Sequence, residues 1–257
     1  MERIGDYTVE REIRREDGST TYKAVHLVLP RHAAVRVLNA GSKAIAVQLL
    51  REACILEALS HPGVPRVFEC GVADGRPWVA MELVEGPTLG ELCREGPLAI
   101  ADLVLAIRTI AEVLEHAHAR GVIHQRLGEA AVVRAQGRHS PFTVVGWGGV
   151  GTRDGVGNAD SSRDVHALGT VAFRALTATA HTPGASARAQ APSAPNELAE
   201  LIDDMLTPTR RPTATEARER ASWLADTVVP RKSTQEMRPL EPTGTRDTTF
   251  SIRINRG

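Results

Sequence analysis

The chain has 257 residues, with 31 Lys+Arg against 31 Asp+Glu, 42% hydrophobic and only 4% aromatic content. Balanced charge excludes a global field that would draw it to nucleic acid or an anionic membrane. The length suits one large domain or two lobes around a cleft, with Leu, Val, Ala and Ile filling the core. Cys54, Cys70 and Cys93 are odd in number and lack Cys-x-x-Cys spacing, so they read as reduced, buried thiols rather than a metal or redox site. The N-terminus has no apolar signal region and no run of 18 apolar residues occurs. A cytoplasmic protein without direct membrane insertion is therefore expected.

In chain order, Tyr7–Ile13 alternates and Thr20–Val25 is rich in β-formers, with the polar stretch Arg14–Ser19 reading as the turn of a hairpin. A third strand is expected at Ala33–Leu38, and an amphipathic helix over Ala44–Leu59 ends at Ser60-His61-Pro62-Gly63. Two more strands, near Arg66–Cys70 and Trp78–Leu83, flank a turn at Ala73–Arg76. Beyond Glu85-Gly86-Pro87 the pattern becomes helical. Helices are expected at Ile100–Ala119, Arg163–Thr177, Asn196–Leu206 and Thr213–Ala225, with a loop over Ala178–Pro195. From Thr227 the chain turns polar and reads as a disordered tail.

The stretch Gly121-Val122-Ile123-His124-Gln125-Arg126-Leu127-Gly128-Glu129-Ala130-Ala131 resembles the catalytic loop of protein kinases, His-Arg-Asp-Leu-Lys-Pro-x-Asn. The resemblance runs from about Asp6 to Ala225. Trp78–Gly86 resembles the fifth strand and hinge, with Met81 as gatekeeper and Leu83 in the hinge. Ala33-Ala34-Val35-Arg36 resembles Val-Ala-x-Lys, and Leu50-Arg51-Glu52-Ala53 the helix carrying the lysine's partner glutamate. The resemblance implies an α+β, bilobal protein kinase-like fold. Its β-rich N-lobe (about 1–84) would carry one helix, and its C-lobe (about 88–226) would be helical; 227–257 would be the tail.

Residue by residue, the chemistry departs from that family. The base position holds Arg126, the lysine position Gly128, and the metal-binding asparagine position Ala131. In Val145-Gly146-Trp147-Gly148 the magnesium-binding aspartate is replaced by Gly146. A guanidinium cannot accept a proton, and neither a methyl group nor a glycine can ligate magnesium. The three glycine positions of the phosphate-covering loop hold Arg14, Glu16 and Ser19. Only 15 residues separate Gly148 from Asp164, without Ala-Pro-Glu, so the activation segment is shortened and Gly149–Asp160 reads as flexible. Arg211, in Arg211-Pro212-Thr213-Ala214, loses its usual glutamate partner and needs another or is solvated.

Packing positions survive. One apolar stack maps to Leu56, Val67, His124, Trp147 and Asp164; another, normally completed by adenine, maps to Thr21, Ala34 and Val133. An Arg36–Glu52 ion pair is expected as a structural tether. Lys23 sits away from the phosphate end, and Arg14-Arg15 and Arg210-Arg211 read as solvent-facing charge pairs. The vestigial cleft would be Thr21, Ala34, Arg36, Glu52, Met81, Leu83 and Val133. No catalytic residue, no metal and no cofactor is implied, and ATP loses its usual supports.

The resemblance thus implies an inactive kinase-like (pseudokinase) module acting as a scaffold in bacterial Ser/Thr kinase signalling, its partner an active kinase or a kinase substrate. The alternative is an atypical nucleotide-binding protein, or weak kinase, holding phosphate with Arg36 and Arg126.

Overall fold

The computed structural model describes residues 3–16, 18–39, 43–147, 151–152 and 160–228. Of the tail expected over 227–257, residues 229–257 lie outside them, while Thr227 still belongs to the last helix. Most of Gly149–Asp160 also lies outside them. Within that segment Gly151–Thr152 is a short strand.

Six strands form one antiparallel sheet: β1 Arg3–Ile4, β2 Tyr7–Glu16, β3 Ser19–His26, β4 His32–Leu38, β5 Val67–Ala73 and β6 Arg76–Glu82. Their order is β1-β2-β3-β4-β6-β5. One face buries Tyr7, Ala24, Ala33, Val35 and Trp78. The other receives α1 (Lys43–Leu59), whose Leu49 and Ala53 pack with Leu38 and Val79. The inward positions Leu49, Glu52, Ala53, Leu56 and Leu59 are buried, as a helix laid on a sheet requires.

The hairpin differs from its sequence reading. Arg14, Arg15 and Glu16 are not the turn; they continue β2 and pair with Thr21, Thr20 and Ser19. Gly18, at φ +85°, supplies the left-handed turn conformation that glycine adopts without strain. Register shifts between Val9 and Arg11 and between Glu12 and Arg14 redirect the side chains. Arg14 and Glu16 therefore share the face that lines the interlobe cleft, while the exposed Arg15 pairs with Glu12.

The second lobe is built around α3 (Ile100–Ala119), which buries Leu103, Ile107, Ile110, Leu114 and Ala117. α7 (Ala214–Thr227) offers Ala214, Ala217 and Ala221, small residues at helical spacing that allow close approach, with Leu224 buried a turn further on. Its start is fixed by a reciprocal cap between Thr213 and Glu216. The same device starts α2 (Leu89–Arg94) at Thr88 and Glu91, a helix the periodicity did not reveal; its Cys93 is buried as expected of the thiols, whereas Cys54 and Cys70 are exposed. α5 (Ala187–Gln190) is a single turn inside the stretch expected to be all loop; Asp203 of α6 (Asn196–Leu206) holds its start through Ser186 Oγ at 2.7 Å and Ala187 N–H at 2.6 Å. Among the described residues no helix is long and apolar enough to cross a membrane.

α4 (Ser162–Thr177) crosses α6 at Gly169, where an added Cβ would sit 2.8 Å from Met205 Cβ and 3.3 Å from Leu206 Cγ. Helix propensity favours alanine over glycine by about 1 kcal/mol. Overpacking here costs about 1–3 kcal/mol and opposes it. Gly169→Ala is therefore expected to lower stability, by up to about 2 kcal/mol on these magnitudes, seen as an earlier urea midpoint. A later midpoint would show that the two helices part freely.

Candidate functional site

The site lies between the lobes. β7 (Val122–Ile123) leads into the loop at His124 and pairs with β10 (Gly151–Thr152). The chain then makes a 3₁₀ turn at Glu129–Ala131 and forms the small sheet of β8 (Val132–Arg134) and β9 (Phe142–Val144). Val145 N–H donates to Ala131 O at 2.8 Å, which sets Gly146 opposite the loop.

Asp164, 1% exposed at the start of α4, organises this region. Its carboxylate accepts from His124 N–H and Gln125 N–H, both at 2.8 Å, and from His118 Nε2 at 2.9 Å. Gln125 is held at φ +62°, a left-handed conformation stabilised by that contact. The His124 imidazole donates Nε2–H to Val145 O at 3.1 Å and accepts Arg126 N–H at 3.3 Å on Nδ1, the pattern of a neutral ring. Burial lowers its pKa, against the opposing pull of Asp164 and the Val145 carbonyl. Trp147 packs edge-on against this ring at 4.6 Å and belongs to the same apolar cluster as Leu56, with Val67 against it. The stack read from the sequence is thus assembled in space.

The cleft has a volume of about 760 Å³. Thr21, Ala34, Met81, Leu83 and Val133 line its inner end, and Arg36, Glu52, Arg14, Glu16 and Gly146 its basic end. The expected tether exists: Arg36 Nη1 lies 2.9 Å from Glu52 Oε2, and Arg36 Nε donates to Ser19 Oγ at 3.1 Å. Lys23 also lines the cleft but is tied to Glu85 at 3.1 Å, by the connector. At the hinge, burial raises the Glu82 carboxyl, but Arg138 and Arg66 N–H outweigh it and hold it below its usual range.

Other predicted residues lie elsewhere. Arg126 does not line the cleft; its half-exposed side chain reaches the rim, 3.9 Å from Glu16 Oε1. Gly128 faces a second hollow, bordered by Leu127, His166, Arg174 and His181. Arg211 is not left in solvent: Nε donates to Met205 O at 2.8 Å, and Nη2 lies 3.2 Å from His166 Nδ1. The carbonyls ending α6 take the place of the missing glutamate.

Arg14 is the residue that sequence reasoning placed only in part. Its side chain is 44% exposed, as a solvent-facing charge should be, and it also lines the cleft. A Cβ built on Gly146 would lie 3.7 Å from Arg14 Nη1 and 3.9 Å from Ala131 Cβ. The signal was present as the two-residue period linking Arg14 to Glu16. A divalent ion does not fit these surroundings, because the groups nearest Gly146 are a guanidinium and a methyl. Among the described residues no three His, Cys, Asp or Glu side chains are grouped to hold a metal.

A bilobal protein kinase-like architecture is what this sheet, cleft and helical lobe define. A family model described as "Protein tyrosine and serine/threonine kinase" matches residues 19–139. The chain is 32% identical over 127 residues to the serine/threonine-protein kinase PknJ of Mycobacterium tuberculosis, covering 48% of this chain and 22% of that protein. It is 28% identical over 201 residues to PknL of the same organism, covering 69% of this chain and 50% of that protein. It therefore spans at most half the length of these curated relatives. The crystal structure of the M. tuberculosis PknI kinase domain, in a cysteine-to-alanine mutant form, superposes with a TM-score of 0.66 at 23% identity, covering 87% of this chain and 96% of that one. The fold is that of a protein kinase domain, and the sequence similarity is to bacterial Ser/Thr protein kinases.

Proposed function

We propose that this domain is a catalytically inactive, kinase-like binding or regulatory module in bacterial Ser/Thr kinase signalling. The observation that carries the reading is the environment of Gly146. Where the family resemblance implies a carboxylate and a metal, the nearest groups are the Arg14 guanidinium and the Ala131 methyl. Arg126, at the base position, has no means of accepting a proton from a hydroxyl. The packing that unites the lobes is complete beside these losses, which suits a module whose surface is its output. An active Ser/Thr kinase or a kinase substrate, met in the cytoplasm, is the proposed partner. Incubation of the purified chain with labelled ATP and Mg²⁺ or Mn²⁺, with a generic protein substrate, should transfer no label. Arg126→Asp alone should restore none, since both metal positions stay empty of oxygen ligands. Transfer by the native chain would sink the reading.

One observation favours the alternative of a nucleotide-binding protein: Arg36 borders a cleft of about 760 Å³, with Arg126 at its rim. Thermal shift with ATP, ADP and GTP, with and without divalent ions, separates the two. A rise of several degrees supports a nucleotide site.

A further inference from the structure

The basic end of the cleft contains its own counter-ion. Arg14 comes from β2 and Arg36 from β4, Arg126 reaches the rim from the loop after β7, and Glu16 lies among them. Glu16 Oε1 is 3.0 Å from Arg14 Nη2 and 3.9 Å from Arg126 Nη2, while Oε2 is 4.0 Å from Arg36 Nη2. Glu52 balances Arg36 from the opposite side at 2.9 Å. These three guanidinia and two carboxylates carry one surplus positive charge, and two once Glu16 is neutralised.

We propose that this end of the cleft is an anion site that needs no divalent metal, and that Glu16 is its resident, competing occupant. Guanidinium forks suit the paired oxygens of a phosphate, and their charge does not depend on pH. Arg14 brings a cation beside Gly146, so neutralisation of a bound anion there comes from the protein itself. The side chain of Glu16 is 23% exposed and stands at the tip of a two-stranded hairpin, next to the turn at Gly18. An incoming anion displaces it into water without breaking the sheet. The ligand class is a polyphosphate, either free or as the tail of a nucleotide, because three forks held apart need more than two anionic oxygens. Displacement has a structural consequence, since the Glu16–Arg126 contact joins the hairpin of one lobe to the loop of the other.

Anion binding here requires no phosphoryl transfer, so this proposal and the preceding one fail independently. The test is calorimetric titration of the full chain with tripolyphosphate in EDTA. Glu16→Gln should bind about ten-fold more tightly than the native chain, the scale of one freed charge-assisted contact. Glu16→Gln combined with Arg126→Ala should lose most of that gain. ATP should gain as tripolyphosphate does if nucleotide tails are accepted; a gain with tripolyphosphate alone would assign the site to free polyphosphate. Equal affinity of native chain and Glu16→Gln would overturn the proposal. So would a gain that survives loss of Arg126, or one that appears only after Mg²⁺ is added.

Discussion

Asp164→Ala is expected to destabilise the folded domain by about 3–5 kcal/mol, the range for removing one partner of a buried charged network. The carboxylate is 1% exposed and accepts two backbone N–H groups and the His118 ring. Alanine leaves these donors facing a space the size of a carboxylate, away from solvent. The loss has a second part, because Gln125 holds its left-handed backbone only while its N–H is bound to that carboxylate. Asp164→Asn keeps one acceptor and turns an amino group toward a donor, so its cost should fall between native and alanine. Urea unfolding followed by circular dichroism measures both. A loss under about 1 kcal/mol for alanine, the net worth of a single ordinary hydrogen bond, would mean that the loop is held by its apolar frame alone.

That residue also shows what was legible in the sequence. Asp164, His124, Trp147 and Leu56 lie 40, 23 and 91 positions apart along the chain in successive pairs, beyond the reach of any local pattern. They were placed together only through the family resemblance; the structure brings Asp164, His124 and Trp147 into contact and sets Leu56 in the apolar cluster of Trp147. The strands and long helices followed from periodicity, since each buries one face and the period records which face it is. The hairpin failed for a physical reason. Charged Arg14, Arg15 and Glu16 read as turn residues by polarity, yet a strand bordering a basic cleft carries charge on its ladder-paired residues. α2 was missed because six residues give too little periodicity, although Thr88 and Glu91 spelled its cap. Arg211 was left without a partner because main-chain acceptors at a helix end have no sequence signature.

The basic cluster was the least legible part and bears most directly on function. Each of Arg14, Glu16, Arg36 and Arg126 looked like a separate degeneration of a motif. In space they are one linked group of charges, with Glu16 at its centre. A cluster of three arginines without that carboxylate would carry uncompensated repulsion across a half-buried cleft. Glu16 therefore has a structural reason to stand where the family carries glycine, whichever ligand the cleft accepts.

Trp147→Ala should cost about 3–5 kcal/mol, the range for truncating a buried large aromatic, and its effect should be uneven across the molecule. The indole is 3% exposed, meets His124 edge-on, and donates Nε1–H to Val144 O at 2.8 Å. Trp147 and Leu56 of α1 belong to one apolar cluster and both line the cleft, which makes this ring the candidate joint between the helix of the sheet lobe and the loop of the helical lobe. Trp147→Phe keeps an aromatic face but loses the N–H and part of the volume, and should cost about 1–2 kcal/mol. Hydrogen exchange separates a joint from a mere space-filler. If Trp147 joins the lobes, alanine should speed exchange along α1 near Leu56 and in the His124 loop well before it does so in α7, which packs on α3 at the far side of the helical lobe. A uniform rise in exchange over α1, α3 and α7 would show that the ring contributes bulk stability only, and that the lobes are held together elsewhere along the cleft.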